Sequence, residues 1–265
     1  MLVRLTLALL ALGSGFSTLA VAESTDCLFP VLIVSDGRLT QSTFPQNASF
    51  WYAIYTQANH SYSVEFVPAA DNYLSPVHPV FSTIGIFAPA DSLQGCRGTS
   101  SVAVTQNSGY APVILAGTNG AGRRVSFTAQ SAGLYLVTTT NVAATGSYTF
   151  RAVDTTLFSP RWTTSDPKDV QWGFFNPSDM PVSGTLTILD PNGFVLLTAP
   201  VSIPPGGRAT HFTGSSDLNL PRNASGSALF SHNGPPDAIL GDALVVSWTG
   251  TPSPYSVKFE TLGPR

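Results

Sequence analysis

Short apolar runs alternate with polar residues along most of this chain, and clusters of Gly, Pro, Asn, Asp and Ser separate them. In Tyr62-Ser63-Val64-Glu65-Phe66 and Tyr148-Thr149-Phe150-Arg151-Ala152 every second residue is apolar, the period of a strand with one buried face. The pattern predicts strands over 29–34, 50–56, 62–67, 80–87, 102–105, 112–116, 124–128, 134–139 and 147–153. It breaks at 154–169, a stretch with two prolines and no clear period, and resumes over 170–175, 184–189, 194–197, 208–212, 226–231, 243–248 and 255–261. Leu189-Asp190-Pro191-Asn192-Gly193-Phe194 reads as a hairpin, because Asn-Gly supplies a positive φ between two apolar runs. Pro204-Pro205-Gly206-Gly207 reads as another turn. No window holds the i, i+3, i+4, i+7 stripe of a helix. The expectation is an all-β protein of two β-sandwich domains, 23–157 and 158–265, with the boundary in the aperiodic stretch. Seven short strands in the second unit fit an immunoglobulin-like sandwich, although the Cys-Trp-Cys core of antibody domains is absent.

Residues 1–22 stand apart from that pattern. Arg4 gives a positive start, Leu5 to Leu12 an apolar run, Gly13 and Gly15 a break, and Ala20-Val21-Ala22 a small-residue cleavage site. This is the layout of a secretory signal peptide cut before Glu23, and the apolar run is too short and interrupted for a membrane anchor. Export to the extracellular space or a periplasm is expected, with no transmembrane segment. In such an oxidising compartment the only two cysteines, Cys27 and Cys96, read as one disulfide worth about 4 kcal/mol on a chain-entropy model. Two free thiols or half a metal site are the alternatives, the latter without a His at ligand spacing.

Composition narrows the function. With 43% hydrophobic and 11% aromatic residues against 10% charged, the chain is core-forming and not disordered. Ten Arg stand against two Lys, and twelve Asp against three Glu; the scarcity of Lys and Glu argues against solvated helices. A net charge of −3 excludes a broad basic nucleic-acid surface. No nucleophile elbow, zinc-protease pair, Walker loop or dinucleotide turn is present, and Gly117 to Gly122 precedes a strand-like run, as a hairpin loop does. The four histidines, His60, His78, His211 and His232, are far apart. Ser, His and Asp from distant positions can still assemble a triad, but composition alone carries no weight for one. Asp190 with Asn192, and Asp237 with Asp242, could offer oxygens to calcium; neither spacing matches a known loop, so no cofactor is assigned. Asn47-Ala48-Ser49, Asn59-His60-Ser61 and Asn223-Ala224-Ser225 match the N-glycosylation acceptor.

Aromatic residues are the better candidates for recognition: Trp51, Tyr52, Trp162, Trp172 and Trp248, with Tyr73 and Tyr110. Trp172 and Trp248 sit in strand patterns, where a sandwich core accounts for them. Tyr73 and Tyr110 fall in loops, and Trp162 falls in the aperiodic stretch, as a surface anchor or a plug between domains. These last three are the candidate binding residues.

Val125-Ser126-Phe127-Thr128-Ala129, Ala132-Gly133-Leu134-Tyr135-Leu136-Val137 and Gly146-Ser147-Tyr148-Thr149-Phe150, with the aromatic run Phe50-Trp51-Tyr52, give the first unit a likeness. It resembles the bacterial pre-peptidase C-terminal family, which implies a jelly-roll-like β-sandwich. The loop at 71–79 and Cys96 depart from that family's pattern. The second unit is similar to Ig-like modules of exported bacterial surface proteins, on Phe174-Phe175-Asn176-Pro177-Ser178 and Asp190-Pro191-Asn192-Gly193. Neither resemblance brings a catalytic residue; both imply binding, spacing or surface attachment. The function expected is that of an exported, non-catalytic binding protein recognising a polysaccharide, a cell-surface protein or a secreted partner. A small secreted hydrolase with a site between the domains and a structural envelope-layer component are the alternatives.

Overall fold

The computed structural model of the chain describes residues 29–45, 48–68, 81–89, 101–106, 111–112, 121–141, 146–165, 167–214, 218–247 and 255–261. The protein is all-β, built as β-sandwich sheets. Its first ten strands are β1 (Val31–Ile33), β2 (Thr40–Phe44), β3 (Ser49–Thr56), β4 (Ser61–Pro68), β5 (Phe81–Phe87), β6 (Ser101–Gln106), β7 (Ala111–Pro112), β8 (Ala121–Thr128), β9 (Gly133–Asn141) and β10 (Gly146–Asp154). Then come β11 (Leu157–Thr163), β12 (Lys168–Phe175), β13 (Val182–Leu189), β14 (Val195–Ile203), β15 (Arg208–Phe212), β16 (Ser225–His232), β17 (Leu240–Ser247), β18 (Tyr255–Lys258) and β19 (Glu260–Thr261).

Four sheets result, in the orders β1-β3-β9-β5-β6, β2-β10-β4-β8-β7, β14-β13-β16-β11-β19 and β15-β12-β17-β18. Among the described residues no sheet mixes strands from before and after residue 156. The buried apolar side chains divide the same way. One cluster gathers Tyr52, Ile54, Val64, Phe66, Ile84, Tyr135, Val137, Tyr148 and Phe150, and the other Leu157, Trp162, Trp172, Phe174, Leu186, Ile188, Phe230 and Val245. Alternation is the cause: along β10 Tyr148, Phe150, Ala152 and Asp154 are buried while the residues between them are not.

Strand β4 departs from the one-faced rule, because Ser61, Ser63 and Glu65 on its second face are buried as well. Glu65 lies in register with Arg124 on β8 and Arg151 on β10, and Arg151 Nε donates to Glu65 Oε2 at 2.6 Å. A carboxylate that loses its water in this way needs such a partner. Burial lowers the pKa of the Arg124 guanidinium from its usual value, and the charge of Glu65 opposes that shift.

The turns read from sequence form as their chemistry dictates. Between β13 and β14, Gly193 has φ 85°, Asp190 N donates to Phe194 O at 2.8 Å, and Asp190 Oδ1 accepts from Asn192 N and Phe194 N. At the second turn Gly206 has φ 63°, and Gly207 N donates to Pro204 O.

The aperiodic stretch is where the expectation fails. Residues 157–163 form β11, an interior strand between β16 and β19. Its register against β16 shifts between Ser159 and Trp162, around Pro160, which has no N–H for the ladder. Trp162 is therefore neither a surface anchor nor a plug between domains. It is fully buried in the second core, and its indole N–H is shared by Leu189 O at 3.0 Å and Ser227 O at 3.1 Å. Residues 1–22, Cys27, Asn47, Tyr73, His78, Cys96, Tyr110, the 117–120 loop and Trp248 lie outside the described residues.

Candidate functional site

Two places bring chemistry-bearing side chains together. The first lies where the two halves meet. His60 Nδ1 is 2.8 Å from Asp154 Oδ2, and Ser61 adjoins His60, so a Ser, a His and an Asp do converge. Their bonding is structural. Ser61 is fully buried, and its Oγ accepts from Thr155 Oγ1 at 2.9 Å and from His232 N at 3.1 Å. Ser61 N donates to Thr156 Oγ1, Thr155 N to Ser61 O, Thr156 N to Asp154 Oδ1, and Ser231 Oγ to Asn59 O. Both acceptor sites of the serine oxygen are thus occupied, which is the state of a joint and not of a nucleophile.

His232 completes this joint as a neutral ring. Gly234 N donates to its Nδ1 at 3.2 Å, and the ring also hydrogen-bonds the Thr155 backbone. Burial pushes its pKa down to about 4, and the charge of Arg124 acts in the same direction. Burial, and then the Asp154 carboxylate, push the Tyr62 phenol above its usual range; its oxygen accepts from Gln57 N at 2.8 Å.

The second place is a cavity of about 640 Å³ on the sheet β15-β12-β17-β18. Strand register builds it. One row across the sheet is Arg208, Phe175, Leu240; the next is Thr210, Gly173, Asp242; the third is Phe212, Gln171, Leu244. Residues two apart share a face, so these side chains stand together while Trp172 and Phe174 turn into the core. Lys258 on β18 holds the register position beside Asp242.

Gly173 makes the middle row a trough. A Cβ there would stand 2.6 Å from Asp242 Oδ1, so the carboxylate leans into space that any other residue would occupy. Glycine inside a strand marks a place where something approaches the backbone closely. On one side the Arg208 guanidinium lies over the Phe175 ring at 5.4 Å, which fixes both. The cavity is also bordered by Leu157, Phe174, Ile239 and Phe259, whose side chains are buried in the second core. Asp237 closes the rim from the β16–β17 loop with φ 59°, a left-handed conformation uncommon outside glycine.

Arg208, Asp237 and Asp242 form no ion pair or side-chain hydrogen bond among the described residues, nor do the side chains of Gln171 and Thr210. Asp237 and Asp242 are exposed, whereas buried acids are matched: Glu65 by Arg151, Asp154 by His60, and Asp169 by Arg222 at 2.6 Å. Asp237 and Asp242, weighed from sequence as calcium ligands, do line one cavity, but among the described residues no three His, Cys, Asp or Glu are grouped to hold a metal ion.

No family model matches the chain, and no curated protein matches it either. Solved structures resemble it only distantly. The extracellular region of zebrafish Gpr126/Adgrg6 aligns over 86% of this chain and 36% of that one, at 9% identity and a TM-score of 0.25. A GH2 β-galacturonidase from Eisenbergiella tayi aligns over 83% and 36%, at 10% identity and 0.23; a β-glucuronidase from Bacteroides uniformis over 81% and 26%, at 10% and 0.20. The chain spans about a third of these proteins, and likeness at this level carries no argument about function. The site rests on its own geometry.

Sequence reasoning named other residues. Trp162 is core, and Tyr73 and Tyr110 lie outside the described residues. The one legible signal for the groove was Gly173, a glycine between aromatic residues in a strand pattern. No helix among the described residues is long and apolar enough to cross a membrane.

Proposed function

We propose that this is an exported, non-catalytic binding protein whose second half recognises a polysaccharide through the groove over Gly173. The observation that carries the reading is that Arg208, Gln171, Thr210, Asp237 and Asp242, none with an ion pair or side-chain hydrogen bond among the described residues, gather beside Leu240, Leu244 and Phe175. A sugar ring offers a C–H face and a rim of hydroxyls that both donate and accept. Leu240, Leu244 and the edge of Phe175 suit the first, while Arg208, Gln171, Thr210, Asp237 and Asp242 suit the second. Adjacent strands lie ~5 Å apart, so the three strands set the trough ~10 Å across the sheet, room for about two sugar units. The signal-peptide pattern at 1–22 supports export, and the pre-peptidase C-terminal and Ig-like resemblances support a modular binding role.

Isothermal titration against a panel of oligosaccharides tests this with the intact protein and two variants. Gly173→Val fills the trough with a residue favoured in strands, and exposed Asp242 has room to swing aside. Arg208→Ala removes the exposed cation. Both are expected to melt with the parent and to lose at least about tenfold in affinity. Unchanged binding by both variants refutes the groove; no binding to any glycan refutes the ligand class.

A further inference from the structure

Hydrogen bonds close the seam between the two halves, and one histidine stands at its centre. We infer that the seam is an acid-released clasp: a proton on His232 frees the second half from the first, and the two then move as separate bodies with both cores intact. The device does not depend on what the groove binds.

Two bonds cross the seam from consecutive residues at the end of β16. His232 N donates to Ser61 Oγ at 3.1 Å, and Ser231 Oγ donates to Asn59 O. Ser61 also straps the connecting residues to the first half, because Thr155 N donates to its carbonyl and its own N donates to Thr156 Oγ1. A shift of the His232 ring therefore pulls on both crossing bonds at once. A seam of a few polar bonds is the kind of interface across which domains move. The cores lie outside it: each half closes its own two sheets around its own apolar cluster, and His232 belongs to neither cluster.

The ring is built in as a neutral base. It is buried, and its Nδ1 accepts from Gly234 N at 3.2 Å, which requires a lone pair there. A second proton would set N–H against N–H. The carboxylates of the first half near the seam are already taken, Asp154 by His60 at 2.8 Å and Glu65 by Arg151 at 2.6 Å. The charge that does reach the ring, Arg124 on β8, opposes the proton. Gly184 on β13, the stacked Phe230, and Val182 and Ala238 beside Gly234 bring no charge. Burial and Arg124 thus hold the closed ring down to about 4, while in water it takes its proton near the ordinary 6.5. The open form gains on the closed one as pH falls between those values, by roughly a hundredfold at pH 4.

Amide nitrogen relaxation on the intact, isotope-labelled protein reads the tumbling of each half, and the ring carbon shifts of His232 read its proton. At neutral pH one shared tumbling time is expected. Near pH 4 two shorter times are expected, with dispersed amide signals kept in both halves and the His232 proton taken up over the same range. His232→Gln can accept from Gly234 N without titrating, and is expected to tumble as one body at both pH values. Separation of this variant in step with the parent overturns the inference, because another acid group then opens the seam. So does proton uptake by His232 while the parent's halves still tumble together, and so does loss of dispersed signals in either half at the pH of separation. Where the variant is already loose at neutral pH, the parent's ring titration and tumbling decide by themselves.

Discussion

Trp162 shows how one residue can mislead. Next to Arg161 and Pro160 it looks exposed, yet both carbonyls that receive its N–H come from other strands, Leu189 on β13 and Ser227 on β16. Nothing local announces them. Replacing it should be costly: Trp162→Ala is expected to lower stability by about 3–5 kcal/mol, the usual loss for a large buried aromatic. Chemical denaturation measures this, and a loss below about 1 kcal/mol would place the indole at the surface after all.

His232 makes the second residue-scale prediction. Unfolded, its ring takes a proton near the ordinary 6.5; folded, it resists protonation down to about 4. Between those values the unfolded chain binds more protons, so stability rises with pH and is lost as pH falls. The contribution of this ring is complete above pH 6.5 and lost by pH 4, a swing of about 3 kcal/mol. The difference between parent and His232→Gln isolates the ring. The variant should show a flatter curve over pH 4–6.5, and parallel curves would contradict the buried neutral histidine.

At the scale of elements, regular alternation was legible and irregularity was not. Strands β4, β10 and β12 follow a two-residue period and fall where expected, within a residue or two. Strand β11 was missed because a bulge around Pro160 puts Leu157 and Ser159 in one phase and Trp162 in the other. The β13–β14 hairpin was readable because its turn chemistry is local. That turn needs its glycine: Gly193 has φ 85° and open space around it, so Gly193→Ala meets backbone strain alone. A loss of about 1 kcal/mol is expected from thermal unfolding, and no loss would mean that the turn relaxes freely.

At the scale of the whole molecule, two cores are joined by one polar seam of residues 59–61, 154–156 and 231–232. Each half closes its own two sheets, so fragments 23–156 and 157–265 are expected to fold cooperatively, each less stable than within the intact chain because the Ser61 and His232 bonds are gone. Circular dichroism melts would show it, and a fragment without a cooperative transition would mean that the cores depend on each other. The groove escaped sequence reading for a reason at this same scale. Its parts come from 171–175, 208–210 and 237–244, and only the register of three strands sets them side by side.

The central claim is that this groove is where the protein meets its ligand. The most direct measurement is a two-dimensional amide NMR titration of the intact, isotope-labelled protein with the oligosaccharide that binds best. The account predicts shifts that track saturation at the amides of Gln171 to Phe175, Arg208 to Thr210 and Asp237 to Leu244, with the first half unmoved. Saturable shifts confined to the first half would contradict it.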